Sequence, residues 1–286
     1  MPTTFPALFL KEAPATLGFA QLGEATMKPE LQVFKIGGGI IDNEADLLEF
    51  IRLFAQVSGP KILVHGGGKG ASDMMKSLGI VPRMVEGRRI TDAVALDLVT
   101  MFYAGKTNKQ IVVALQSHGV NALGLSGADG NMIQAVKRPV RDIDYGFVGN
   151  LSEESVNANL IQQFLMLGLT PVFCPINHDG HGQLLNTNAD TIAASVAKAL
   201  SAQYAVSLHF CFEKKGVLTD VNDDNSVIPK INLADYAELK ESGIIANGML
   251  PKLENAFDAL QFGVEKVIIE HALHINDVLK TTLCLT

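Results

Sequence analysis

The sequence predicts an α/β protein, a three-layer αβα sandwich around a mainly parallel open sheet. Short runs of β-branched and other apolar residues alternate along the chain with longer segments whose apolar residues recur at helical spacing. Strands that alternate with helices form a parallel sheet, and the connecting helices cover both of its faces. The chain has 286 residues, of which 48% are hydrophobic and 19% charged, so it can bury the core of one large domain or two lobes.

The predicted elements follow one another without a repeat or a linker-like tract, which favours two lobes that share one sheet over two separable domains. The predicted strands are short apolar runs at residues 31–36, 61–65, 121–125, 171–174, 204–212 and 266–269. The predicted helices lie at residues 44–56, 70–78, 92–103, 108–118, 157–167, 189–200, 233–242 and 249–261. The more polar segments at residues 83–90 and 132–147 have the pattern of hairpins.

Composition excludes several classes of function. The net charge of −7 and the absence of a basic run argue against binding to nucleic acid or to an anionic membrane surface. No apolar run approaches the ~20 residues that a membrane-spanning helix needs. The three cysteines are far apart and form no CxxC pair, and His178 and His181 lack a third metal ligand nearby, so neither a zinc site nor a disulfide framework is expected. We expect a cytoplasmic protein in which residues 1–26 form a loose extension.

Each of the first two predicted strands ends in a glycine-rich loop. Lys35 is followed by glycines 37–39, and His65 by glycines 66–68 and then by a helix. Such loops let backbone amides approach a bound anion, and the start of a helix favours the same ligand. The spacing fits neither a Walker A loop nor GxGxxG, which argues against a dinucleotide-binding oxidoreductase. For His65, a structural place under its loop is favoured over a role as a base.

Three further loops carry charged or amide side chains at predicted helix starts. Arg89 lies just before a helix and could clamp a carboxylate with two hydrogen bonds, although a solvent-facing arginine remains open. Residues 186–190, Asn-Thr-Asn-Ala-Asp, could orient a polar ligand or only cap the next helix. Lys252, near the start of another predicted helix, could reach a phosphate or lie on the surface.

Taken together, these motifs resemble the acetylglutamate kinases of the amino-acid kinase superfamily over about residues 30–270. The motifs that carry the resemblance are KIGGG at 35–39, HGGGKG at 65–70, EGRRITD at 86–92, AGKTNKQIV at 104–112, LSGADGN at 125–131, NTNAD at 186–190 and NGMLPK at 247–252. The resemblance implies the amino-acid kinase fold and transfer of the ATP γ-phosphate to the side-chain carboxylate of an N-acyl-L-glutamate, a step of arginine biosynthesis. A carboxylate acceptor is ionised at neutral pH, so the reaction needs charge neutralisation and alignment rather than a general base.

The resemblance also implies a role for each matching residue. Lys35 and Lys252 would stabilise the transferring phosphoryl group, and Asp190 would hold the two lysines in place. The substrate would contact Gly66, Gly67, Arg89, Asn186 and Asn188. The nucleotide would contact Gly37, Gly38, Glu213 and Gly216, with Mg²⁺ entering with ATP and no further metal bound by the protein.

The same resemblance implies how the chain divides and assembles. Residues 1–28 would form the extension and residues 29–185 the lobe that binds the acyl-amino acid. Residues 186–286 would form the lobe that binds Mg-ATP. The first lobe would also form a homodimer through a sheet that extends across two subunits.

Several positions depart from the family pattern. The nucleotide-side loop reads Phe-Glu-Lys-Lys-Gly at residues 212–216, where relatives carry a Ser/Thr-Asp pair. Ala128 replaces a common lysine, and Asn177 replaces a glycine near the expected substrate site. Added polar groups keep N-succinyl-glutamate open as the substrate beside N-acetyl-glutamate. Residues 271–286 lack the glycine-rich segment that accompanies arginine feedback in some relatives, so weak or no inhibition by arginine is expected.

A non-catalytic metabolite sensor on the same fold is a further alternative. A sensor could dispense with the charged residues that the reaction needs. The chain retains Lys35, Asp190 and Lys252, which favours an active enzyme.

Overall fold

A computed structural model of the chain describes residues 27–85, 88–245 and 249–286. The extension predicted at residues 1–28 therefore lies almost entirely outside the described residues, as do residues 86–87 and 246–248 of two family motifs. Within the described residues, no helix has both the length and the apolar character needed to cross a membrane.

Strands and helices alternate along the described chain as the sequence predicts. The strands are β1 Glu30–Ile36, β2 Lys61–His65, β3 Met84–Val85, β4 Arg88–Arg89, β5 Ala122–Leu125, β6 Val136–Lys137, β7 Gly149–Asn150, β8 Thr170–Phe173, β9 Ile176–His178, β10 Leu184–Asn186, β11 Ala205–Phe212, β12 Lys230–Ile231, β13 Lys266–His271 and β14 Thr281–Leu283. The α-helices are α1 Gly38–Asp42, α2 Glu44–Gln56, α3 Gly70–Ser77, α4 Ala93–Thr100, α5 Asn108–Ser117, α6 Ala158–Met166, α7 Ala189–Leu200, α8 Leu233–Glu241 and α9 Leu250–Gln261. A π-helix, Met101–Thr107, joins α4 to α5.

Eight strands of the described chain form one sheet in the order β12-β14-β13-β11-β1-β2-β8-β5. Neighbouring strands run parallel except β13 and β14, which pair in antiparallel fashion. This confirms the predicted mainly parallel open sheet. The parallel strands of this sheet end on one edge, and the loops that follow β1, β2 and β11 meet there.

Helices cover both faces of the sheet, which confirms the three-layer sandwich. Alternate residues of β1 point to opposite faces. Val33 faces α6, α7 and α9, whereas Phe34 faces α1, α2 and α5, and both are almost fully buried. Burying an aliphatic or aromatic side chain of this size stabilises the fold by about 1.5–3 kcal/mol. The two layers therefore fix β1 firmly, and with it the lysine at position 35.

The structure differs from the sequence prediction in several places. The hairpin predicted at residues 132–147 does not form within those bounds, because β6 pairs with β7 at Gly149–Asn150. The short helix α1 follows the first glycine loop and is not predicted. The helices predicted at residues 92–103 and 108–118 form one continuous helical segment, because a π-helix bridges the expected gap. The antiparallel pair of β9 and β10 is not predicted, since each strand has three residues and carries an asparagine, too short and polar for a period-two pattern. The short strands β12 and β14 are missed because they too span only a few residues.

Candidate active site

A cavity of about 350 Å³ opens at the edge of the sheet where β1 and β2 end. Its wall combines both glycine loops, the β3–β4 hairpin and the start of α7. Most of the predicted site residues line it: Lys35, Gly38, Gly66, Gly67, Arg89, Asn186, Asn188 and Asp190. Gly37, Glu213, Gly216 and Lys252 do not. The structure thus brings all the predicted substrate contacts together around one space, whereas only one of the four predicted nucleotide contacts, Gly38, lines it.

Lys35 and Asp190 form an ion pair on the floor of this cavity. Lys35 is the penultimate residue of β1, and Asp190 lies in the first turn of α7, which packs against that strand. Lys35 Nζ lies 2.7 Å from Asp190 Oδ1, and the two side chains are only 10% and 14% exposed. Burial alone would raise the pKa of Asp190, but the charges of Lys35, Lys252 and Arg88 outweigh burial and lower it. The carboxylate is therefore ionised at neutral pH.

The charge of Lys252 acts on the same carboxylate. Lys252 lies in the first turn of α9, and its Nζ is 5.7 Å from the centre of the Phe212 ring. Its charge contributes to the lowered pKa of Asp190 although it does not line the cavity. Two lysines from different elements therefore act on Asp190.

The two glycine loops touch backbone to backbone. A Cβ on Gly38 would come within 2.9 Å of Gly68 Cα, and Gly68 has a φ of +62°, a left-handed conformation that favours glycine. The Gly66 amide donates to Ile36 O at 3.0 Å, which ties the second loop to the end of β1. Side chains in these loops would push them apart.

Asp42 fills the amide nest at the start of α3. Its carboxylate accepts hydrogen bonds from the Lys69 amide at 2.7 and 2.8 Å and from the Gly70 amide at 3.4 Å. The sequence indicates an anion-binding nest here, and the anion that occupies it is a side chain of the chain itself. Asp42 also lines the cavity, so this cap links α1, α3 and the candidate site.

Arg89 is a buried cation without a carboxylate partner among the described residues. It is 7% exposed, and its guanidinium donates to Ser72 Oγ at 2.7 Å and to Met75 Sδ at 3.4 Å. Its Nε has no hydrogen-bond partner in the described structure. A buried charge is costly unless an opposite charge pairs with it. The wall around Arg89 is therefore suited to an anionic ligand.

The asparagines of the NTNAD motif differ in their contacts. Asn188 Oδ1 accepts from the Asp190 and Thr191 amides, so this side chain caps α7. Asn186 Nδ2 donates to Thr91 Oγ1 at 3.2 Å, which ties the motif to the segment after Arg89. Between them, Thr187 lines the cavity, and its buried Oγ1 has no partner in the described structure.

Two of the predicted nucleotide-binding residues, Glu213 and Gly216, make close packing contacts in which a glycine takes part. The Glu213 carboxylate lies directly over Gly39, so closely that a Cβ on that glycine would overlap it. A Cβ on Gly216 would come within 2.5 Å of Thr281 Oγ1, so close packing against β14 requires a glycine there. The Gly37 amide donates to Cys211 O at 3.3 Å, which joins the first glycine loop to the end of β11. The contacts of Gly37, Glu213 and Gly216 with a nucleotide remain a prediction.

His65 and Asn177 are both fully buried and do not line the cavity. His65 Nδ1 lies 2.8 Å from Gly66 O, and its Nε2 lies 3.2 Å from Asn108 Nδ2. Burial lowers the pKa of His65 to about 4, so the ring is neutral and suits both contacts. These contacts support the structural interpretation of His65. Asn177 packs against Gly127 behind the wall, so its amide adds no group to the cavity surface.

Sequence reasoning misses several residues of the cavity wall. Tyr103, Asp42, Lys69 and Arg88 all line it. Arg88 belongs to the EGRRITD motif, but the family resemblance assigns it no role, and Lys69 belongs to the second glycine loop. Nothing in the local pattern distinguishes Tyr103 or Asp42 from ordinary helix residues, because only the tertiary packing brings them to the glycine loops.

Comparison with known proteins agrees with this architecture. The family described as Amino acid kinase family matches residues 30–271. The acetylglutamate kinase of Bacteroides thetaiotaomicron is 54% identical over 251 residues, 88% of this chain and 97% of that protein. The acetylglutamate kinase of Bacteroides fragilis is 53% identical over 250 residues, 87% of this chain and 95% of that protein.

A solved structure shows the same arrangement of elements. The crystal structure of smu.665 from Streptococcus mutans UA159 superposes with a TM-score of 0.73 at 26% identity, covering 90% of this chain and 99% of that one. The family match spans both glycine loops, Arg89, Asp190 and Lys252. The chain therefore belongs to the amino acid kinase family, alongside relatives that are named acetylglutamate kinases.

Proposed function

We propose that this chain is an acetylglutamate kinase, which transfers the γ-phosphate of ATP to the side-chain carboxylate of N-acetyl-L-glutamate and so serves arginine biosynthesis. The observation that carries the proposal is one cavity lined by two differently paired cations. One is a lysine paired with an ionised carboxylate, and the other is a buried arginine without a carboxylate partner among the described residues. The high identity to acetylglutamate kinases supports it.

The substrate matches these two cations in charge. Its α-carboxylate would pair with Arg89, which otherwise buries an uncompensated positive charge. Its side-chain carboxylate would then point toward Lys35, where the phosphoryl group would be transferred. The other proposed substrate contacts, Gly66, Gly67, Asn186 and Asn188, line the same cavity.

The catalytic assignment follows from charge. As the γ-phosphoryl group moves, negative charge spreads over its oxygens and onto the leaving ADP. Lys35 from one lobe and Lys252 from the other would neutralise that charge, and Asp190 would hold both lysines in position. The ionised state of Asp190 at neutral pH supports this positioning role.

The nucleotide would bind on the side of the second lobe, residues 186–286, and the acyl-amino acid on the side of the first, residues 29–185. Mg²⁺ would enter with ATP, because this ion keeps most of its ligands as phosphate oxygens and waters. Glu213, Gly37, Gly38 and Gly216 are the proposed nucleotide contacts. Since the Glu213 carboxylate covers Gly39, a phosphate that uses this loop would have to share the space with it.

N-succinyl-L-glutamate is a second candidate substrate, and one observation favours it. Arg88 and Arg89 both line the cavity, and the charge of Arg88 also acts on Asp190, so the cavity holds a cation besides the one proposed to bind the α-carboxylate. A succinyl group would add a second carboxylate to the substrate, which this positive charge would favour. Asn177 is buried and does not line the cavity, so its amide gives no reason to expect this substrate.

An ADP-release assay across N-acetyl-glutamate, N-succinyl-glutamate, glutamate and N-acetyl-aspartate tests the function. We expect turnover of an N-acyl-glutamate and little of the other two compounds. A tenfold higher kcat/KM for the succinyl compound, about 1.4 kcal/mol in transition-state binding, would select the alternative substrate. ATP- and Mg²⁺-independent binding without turnover would instead indicate a metabolite sensor.

We further propose that the enzyme is a cytoplasmic homodimer. Strand β5 lies at one edge of the eight-stranded sheet, where a second copy could continue it. Exposed apolar side chains lie along the neighbouring helical segment, with Met101 54% and Val113 65% exposed. Light scattering of the purified chain, with Val113→Glu as the disrupting variant, tests this assembly. A monomeric wild-type protein at micromolar concentration would contradict it.

A further inference from the structure

The cavity wall that carries Arg89 also carries Tyr103, which no motif in the sequence singles out. Tyr103 is 5% exposed and lies on the π-helix Met101–Thr107 between α4 and α5. A π-helical turn holds an extra residue relative to an α-helix, and such turns often occur at functional sites. Here the turn directs two consecutive rings at the second glycine loop, Phe102 against Gly70 and Tyr103 against Gly67.

Tyr103 packs against one proposed substrate-binding residue and borders a second. A Cβ on Gly67 would overlap the phenol ring and its hydroxyl. Tyr103 also shares an apolar cluster with Met75, whose Sδ accepts from Arg89, and this places the ring on the Arg89 side of the cavity. Burial raises the pKa of Tyr103, and the positive charge of Arg89 only partly offsets that effect, so the phenol is neutral at neutral pH. It therefore does not cancel the charge of Arg89.

The chemistry of the substrate shows which end of it Tyr103 would meet. In an N-acyl-glutamate, the acylated nitrogen and the α-carboxylate share one carbon atom, and the reacting carboxylate lies at the far end of the side chain. If Arg89 binds the α-carboxylate, a step that rests on the proposed function, the acyl group lies at the Arg89 end. Tyr103 borders that end, whereas Lys35 and Asp190 define the other.

We propose that Tyr103 is a specificity-determining residue for the N-acyl group. Its ring packs on Gly67 and closes the acyl end of the cavity, which limits the size of the N-acyl group that the enzyme accepts.

Two substitutions test the role of the ring. Tyr103→Phe keeps the ring and should leave the preference among N-acyl groups within about twofold of wild type. Tyr103→Leu opens space beside Gly67. It should raise the kcat/KM ratio of N-propionyl- to N-acetyl-glutamate at least tenfold relative to wild type, about the discrimination that one methylene group supports.

Tyr204→Phe is the matched control, because this tyrosine is also buried but lies just before β11, at the opposite end of the strand from the cavity. It should leave both KM values and the acyl preference unchanged. Wild-type turnover of the substrate panel establishes the proposed function independently of these variants. Unchanged acyl preference in Tyr103→Leu would overturn the inference. So would a shift of acyl preference in Tyr103→Phe as large as that in Tyr103→Leu, because the effect would then not depend on the ring.

Discussion

At the scale of single residues, the proposed chemistry depends on the pair of Lys35 with Asp190 and on Lys252. The two lysines come from different elements, and both act on one carboxylate. Preorganised cations stabilise charge that develops in the transition state, and removing one group of this kind typically lowers kcat by about 10²–10³. We therefore expect Lys35→Ala, Lys252→Ala and Asp190→Ala each to lower kcat about a hundredfold or more in steady-state assays.

Lys266→Ala is the control for this series. Lys266 is exposed and begins β13, at the end of the strand that is remote from the cavity. Its removal should leave kcat unchanged. Three folded variants that keep near wild-type kcat would show that these residues are not catalytic.

Arg89 gives a second prediction at this scale. Its guanidinium is buried and pairs with no carboxylate among the described residues, so substrate binding would compensate its charge. Arg89→Ala should raise KM for the N-acyl-glutamate far more than KM for ATP, because a carboxylate clamp acts mainly in binding. Arg52→Ala removes an exposed arginine that pairs only with Glu49, and it should change neither constant. An equal rise in both KM values for Arg89→Ala would remove Arg89 from the substrate site.

At the scale of elements, the Asp42 cap couples the start of α3 to the candidate site. Replacing an N-cap acceptor by alanine costs about 0.5–2 kcal/mol of stability. Asp42→Ala should therefore lower the free energy of unfolding by about 1 kcal/mol and also raise substrate KM, because the freed amides of Lys69 and Gly70 adjoin the cavity wall.

Asp92→Ala is the matched cap variant, since Asp92 accepts from the Ala95 amide at the start of α4. Urea denaturation should show a similar loss of stability for both variants. Only Asp42→Ala should change substrate KM. Equal kinetics in the two variants would mean that the Asp42 cap serves stability alone.

The elements also show what the sequence can and cannot predict. The long strands and their glycine loops are predictable, because a buried apolar run such as β2 ended by His65 has few alternative structures. The π-helix is not, since its residues have no distinguishing local pattern. The β9–β10 pair is missed because Asn177 and Asn186 interrupt its apolar alternation. Tertiary packing decides each of these features, and packing is not visible in short sequence windows.

In the candidate site, too, some residues are predictable from local sequence motifs and others are brought in only by tertiary packing. Lys35 and Asp190 are predicted through motifs, and the structure brings them into contact. The contacts of Asp42 and Tyr103 join segments far apart in sequence, so spacing gives no signal for them. For Asn188 the simpler interpretation of the sequence, a helix cap, describes its contacts with the α7 amides.

At the scale of the whole molecule, the buried His65 ends β2, at the edge of the sheet where the cavity opens. It touches the backbone of its own loop and the Asn108 side chain, which in turn donates to Val172 O on β8 at 2.9 Å. These contacts join β2, α5 and β8 inside the fold. Because burial lowers the pKa of His65 from 6.5 to about 4, its protonation acts against the folded state.

The direction of the pH effect follows from proton uptake. Between pH 6.5 and about 4 the unfolded chain protonates this histidine and the folded protein does not. The stability due to neutral His65 is therefore fully present above pH 6.5 and declines as pH falls toward 4. A pKa change of this size corresponds to about 3 kcal/mol. Half-buried His271, whose pKa burial also lowers, adds to the slope in the same direction.

We therefore expect the free energy of unfolding, measured by urea denaturation, to fall as pH decreases from 7 to 4.5 in the wild-type protein. His65→Gln should be less stable at pH 7 but should have a shallower pH dependence, because residue 65 no longer titrates. The difference in slope between the two proteins isolates His65 from His271 and from every other group. His118→Gln, at an exposed histidine, should keep the wild-type slope. Identical slopes in wild type and His65→Gln would mean that His65 takes up its proton at the same pH in the folded and unfolded chains, contrary to its burial.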